Sequence, residues 1–179
     1  MPRLNAIVKN LAHAQAGLLR AADDVSADQW KTSPGAGRWS ASEVVCHLII
    51  VERAVVRGVD KLLEKAPKPL PFYKRFHIPM AIVESGLIRR KSPFPIEPQM
   101  IRGKEEMLAE LREVRERTLA FLGETMERDL SKYHMPHAFL GTLNACEWFQ
   151  LIASHELRHT KQIKGIAESL PKSVTSLQN

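Results

Sequence analysis

The chain is poor in cysteine, and its two, Cys46 and Cys146, are far from the Cys-x2-Cys spacing of a thiolate metal site. They read as free packing thiols of a reducing cytoplasm. No apolar run reaches the ~18–20 residues needed to span a bilayer. The start, Met1-Pro2-Arg3-Leu4-Asn5, leads into an amphipathic helix rather than a secretory leader. There is no internal repeat and no low-complexity tract. His155-Glu156-Leu157-Arg158-His159 does have the His-Glu-x-x-His spacing of the metalloprotease helix, a short motif that by itself leaves the reaction open. The net charge of +6 is dispersed, much of it in the mixed-sign stretch Lys104–Arg117, which reads as a solvated helix face. Its one compact cluster is Arg89-Arg90-Lys91, so the charge pattern argues against a nucleic-acid partner.

What is present is helix. At 179 residues the chain suits a single domain over 1–179 with a substantial core. Four long amphipathic segments predict an all-α four-helix bundle. Leu4, Ile7, Leu11, Leu18 and Ala22 repeat at helical spacing in the first, and a Ser/Asp-rich turn follows. Ser40-Ala41-Ser42-Glu43 is a capping box that opens the second, whose stripe runs through Val44, Leu48, Val51, Val55 and Val59. The third spans about 102–123. The fourth is expected to start with Thr142 as its N-cap and to end near Leu170, before Pro171. Between the second and third lies an irregular segment, about 66–101, with seven of the eleven prolines and a short apolar helix at Met80–Ile88. Antiparallel neighbours need only ~2–8 linking residues, so a link this long predicts a crossover to the opposite end of the bundle. It reads as a strap or a pocket wall.

The chemistry is concentrated in histidine. His155 and His159 are four apart, one helical turn, and share a face with Trp148, Ile152 and Ile163. His47 borders the apolar stripe of the second helix. If the two helices pack together, three imidazoles converge on one object, for which a divalent metal is the commonest candidate. The bland alternative is a set of hydrogen-bonded core histidines, and spacing alone leaves both open.

Two stretches together carry a resemblance. Gly37-Arg38-Trp39-Ser40-Ala41-Ser42-Glu43-Val44-Val45-Cys46-His47-Leu48, with Glu52 following, is similar to the second-helix signature of the DinB-like proteins. Leu140-Gly141-Thr142-Leu143-Asn144-Ala145-Cys146-Glu147-Trp148, running into His155–Ile163, resembles that family's fourth-helix signature. The resemblance implies a four-helix bundle with a long crossover and a metal held by His47, His155 and His159. The family's usual occupants are nickel and zinc. Its better-understood members use low-molecular-weight thiols such as bacillithiol, mycothiol or glutathione, and the family name carries no physical statement about DNA.

A cation on neutral imidazoles keeps its full charge, so it supports a deprotonated thiol for S-transfer or a hydroxide for hydrolysis. The leading expectation is a thiol S-transferase. A metal-dependent hydrolase and a non-catalytic interaction bundle are the alternatives. Gln162 and Glu43 are candidates to orient the histidines from behind, although Glu43's capping role already explains it. Arg158 is expected to pair with a carboxylate on another helix, or to hold an anionic substrate. His134 and His137 are expected at most to border a pocket, Trp39 and Trp148 to anchor the core, and His13 to be solvated; His77 has no role assigned. The partners left open are a small-molecule substrate and a second copy of the chain.

Overall fold

The computed structural model describes residues 2–70 and 101–171. Most of the 66–101 segment, with the helix expected at Met80–Ile88, the basic cluster at 89–91 and His77, lies outside the described residues. Within them the order is α1 (Pro2–Asp23), α2 (Ala27–Trp30), α3 (Ala41–Leu63), α4 (Lys104–Glu124), a 3-10 turn (Leu130–Lys132), β1 (His134–His137), β2 (Gly141–Asn144) and α5 (Ala145–Ser169). The four long helices stand where the apolar periodicity puts them.

Two layers of core fix their directions. One layer joins Leu18 and Ala22 near the end of α1 to Val44 and Leu48 at the start of α3, Met107 and Leu111 at the start of α4, and Ile163 near the end of α5. The other joins Ile7 and Leu11 to Val55 and Val59, to Leu122, and to Phe149. Helices α3 and α4 are therefore parallel, and α1 and α5 run opposite to them. The chain leaves α3 at one end of the bundle and must begin α4 at the other, which is the physical reason for the long crossover. Within the ring, α1 lies on α5, and α3 touches both α4 and α5. This puts His47 and the later pair on adjoining helices.

Helix starts are chemically specified. Ser40 Oγ accepts from the Glu43 N–H while Glu43 Oε2 accepts from the Ser40 N–H at 2.7 Å, which satisfies two donors that a helix start leaves open. An extra turn, α2, is closed by the same device between Ser26 and Gln29. The Trp30 indole buries completely beside it and donates to the Arg102 carbonyl.

The structure corrects the start of α5. Thr142 does not cap it; Asn144 does, with Glu147 returning the bond. Thr142 belongs instead to β2, which pairs antiparallel with β1 in the register His134↔Asn144 to His137↔Gly141. Gly141 has φ +89°, which only glycine adopts without strain, and it sits where the hairpin turns. Among the described residues, an otherwise all-α fold thus carries one small hairpin.

Candidate metal centre

His47 enters from the second turn of a helix pinned by its capping box, and Val44, Val45 and Leu48 of the same helix are fully or nearly buried. His155 and His159 come from α5, whose Ile152 and Ile163 bury on the same side. The three rings meet. His47 Nε2 lies 3.2 Å from His155 Nε2, and His155 Nε2 lies 3.1 Å from His159 Nε2. One nitrogen from each of the three falls within 4.8 Å of the others. His47 and His159 are buried, and His155 is partly exposed.

The electrostatics keep His155 and His159 neutral. Burial, followed by the neighbouring His47, pushes His159 down to about 3. Burial, with His159 and His47 next, holds His155 well below its ordinary value. The positive charge of Arg158 works in the same direction on both. A hydrogen bond fixes one tautomer: His159 Nδ1 is 2.8 Å from Gln162 Oε1, which can only accept, so Nδ1 carries the proton and Nε2 presents a lone pair to the cluster. Gln162 was expected behind the histidines by its spacing from His155; its bond is to His159.

This donor set fits a first-row divalent ion. Imidazole–zinc bonds of ~2.0–2.1 Å put two ligand nitrogens about 3.3 Å apart at a tetrahedral metal. The two short separations here are close to that, and burial preserves the unprotonated state that coordination requires. The group could hold a metal ion.

Other candidates separate from the centre or join it. Glu43 is engaged at the cap, where its Oε2 accepts from both the N–H and the Oγ–H of Ser40. Trp39 packs against the core as expected and is also a wall of the site: its ring centroid is 4.9 Å from that of His47 and 6.4 Å, nearly parallel, from that of His159. Trp148 is partly buried and donates to the Met135 carbonyl. His137 lies against Trp148, and its Nδ1 accepts from the N–H groups of Phe139 and Leu140, so it serves the hairpin turn. His134 stands at the hairpin's other end, and His13 is exposed as expected. Cys46 and Cys146 are free and buried, and burial raises the Cys146 thiol. A surface groove of about 570 Å³ opens beyond the end of α3, between Lys68, Lys132 and Glu147. Among the described residues it is lined by none of the three histidines and by no group of converging ligands, so volume and chemistry point to different places. The chemistry decides.

The sequence reading missed one cluster. Arg115, placed with the solvated charges of α4, is 1% exposed, and the interior ion pairs are its own rather than Arg158's. Its Nε and Nη2 donate to Glu52 Oε1 and Oε2 at 2.8 and 2.9 Å. Nη2 also donates to Glu156 Oε2 at 2.9 Å, and Nη1 donates to the Leu11 carbonyl. Glu156 Oε1 is buried without a partner among the described residues. Burial raises the Glu156 carboxyl to about 7 against the pull of Arg115.

Fold and site together define a class: helical bundles that present three imidazoles on two packed helices. The chain belongs to the DinB superfamily, which it matches over residues 10–163. It is also similar to the uncharacterized protein YuaE of Bacillus subtilis (strain 168), with 28% identity over 151 residues, 83% of this chain and 90% of YuaE. Among the described residues, no helix is long and apolar enough to cross a membrane.

Proposed function

We propose that this protein is a divalent-metal-dependent enzyme that transfers a low-molecular-weight thiol, with His47, His155 and His159 as the metal ligands and nickel or zinc as the ion. The observation that carries the reading is the composition of the converging group, which is three imidazoles and no carboxylate. When bound there, a divalent cation supplies a full positive charge that favours a deprotonated thiol. Hydrolysis calls for a positioned base to take a proton from water; Glu156, which has the base's place in the His-Glu-x-x-His spacing, is engaged through Oε2 by Arg115. The chain's own residues then have defined tasks. Gln162 fixes the His159 tautomer so that its lone pair faces the centre. Trp39 shields the His47 and His159 rings on one side with an apolar face. The low proton affinity of His155 and His159 keeps both available as ligands. In the net reaction the thiol loses its S–H proton to solvent, a carbon–sulfur bond forms to an electrophilic substrate, and the leaving group departs with its electron pair.

The test is thiol consumption by protein reconstituted with zinc or nickel, using glutathione or bacillithiol and an alkyl halide acceptor. Saturable conjugation that disappears in His47→Ala supports the reading. Conjugation that is equal in the parent and His47→Ala removes it.

A further inference from the structure

A four-way junction in the bundle interior stands within a turn of the histidine pair. The Arg115 guanidinium of α4 binds Glu52 of α3 through two parallel N–H···O bonds, Glu156 of α5 through a third, and the Leu11 carbonyl of α1 through a fourth. All three ionisable residues are at most 2% exposed. One residue therefore touches all four helices. Glu156 directly follows His155 and precedes His159 by three residues. Glu52 follows His47 by five, about 7.5 Å along the axis.

We propose that Arg115 is a positioning residue for the three-histidine group, setting the axial offset and rotation of α3 against α5 so that His47 meets His155 and His159. The proposal rests on the metal reading above. A buried ion cluster is a poor source of net stability, because well-packed apolar side chains of similar volume commonly do as well or better. What it adds is direction. Apolar contacts are tolerant of small slides and rotations, whereas a planar fork on a carboxylate is satisfied in one geometry. Ligand nitrogens must be held to within about 0.5 Å for a site to retain its affinity. The paired carboxylates sit on the two helices that carry the ligands, and the arginine comes from a third helix that carries none.

The test separates register from stability. In the triple variant Glu52→Met, Arg115→Leu, Glu156→Met, the cluster is replaced by apolar side chains. Arg115→Lys keeps the charge but loses the fork. Cobalt(II) alone is the probe, read by its affinity and its visible absorption, beside far-UV helicity and the urea midpoint. The expected result is a triple variant as helical and as stable as the parent, with cobalt affinity at least tenfold weaker and an altered spectrum; Arg115→Lys weakens binding likewise. A folded triple variant that binds cobalt within twofold of the parent, with an unchanged spectrum, overturns the proposal. If the triple variant does not fold, Arg115→Lys decides by the same two criteria. If the parent binds no cobalt, the metal reading fails separately. Positioning is then judged in metal-free protein by the nuclear Overhauser contact between the His47 and His155 rings, whose centroids are 5.0 Å apart. Loss of that contact in a folded variant supports the clamp, and its retention refutes it.

Discussion

Two buried groups on α5, three residues apart, respond to acid in opposite senses, and a single substitution exposes it. His159 is lowered to about 3 in the folded chain, so the folded state refuses a proton that the unfolded imidazole accepts below its ordinary 6.5. Its contribution is complete above pH 6.5 and is lost as pH falls towards 3. At pH 5 the loss is about 2 kcal/mol, from 1.5 units at about 1.36 kcal/mol each. His155 is lowered as well and adds a loss in the same direction. Glu156 is raised from 4.5 to about 7, so the folded state holds a proton that the unfolded carboxyl releases. Its contribution is complete below pH 4.5 and is lost as pH rises through 7. Between pH 7.5 and pH 5 it adds about 2.5 kcal/mol. The parent's acid sensitivity is thus partly masked. Glu156→Gln, which cannot titrate, removes the mask. Urea unfolding of metal-free protein in chelator, at pH 7.5 and pH 5, is expected to show the variant losing about 2–3 kcal/mol more than the parent on acidification. Equal losses in both proteins refute the assignment of a proton to Glu156.

Gln162→Ala removes the acceptor that fixes the His159 tautomer, and zinc affinity is expected to fall by about tenfold or more in a competition titration. Asn144→Ala removes the N-cap of α5 and should cost about 1 kcal/mol in urea unfolding, whereas Thr142→Ala, in the hairpin, leaves that cap intact. Cys46 and Cys146 are both buried, so a thiol reagent at pH 8 should label neither in the native protein and both in denaturant.

The bundle was legible because its helices bury stripes at regular spacing, and the crossover was legible because its length has a geometric cause. The histidine group was legible for a related reason: His155 and His159 share a turn, and His47 shares a face with residues that anyone would place in the core. The hairpin was not. Its strands are four residues each, one contains Pro136, and neither shows a readable alternation. The cap of α5 was misread although Asn144-x-x-Glu147 is itself a capping box, because Thr142 after Gly141 offered a plausible cap two residues early. Arg115 was hidden by its charged neighbours, yet it lies four after Leu111 and seven after Leu108, both nearly or fully buried. Helical phase places it inward, and composition obscured that. Trp39 stands just before a helix, where no periodicity applies, so its contact with the histidines required the folded chain.

The central claim is that three histidines from two helices hold one metal ion. The most direct measurement is elemental analysis by mass spectrometry of protein purified without an affinity tag, the parent beside His155→Ala. The account predicts close to one equivalent of nickel or zinc in the parent and its loss in a variant that still folds. A metal-free parent that also refuses added nickel and zinc contradicts it.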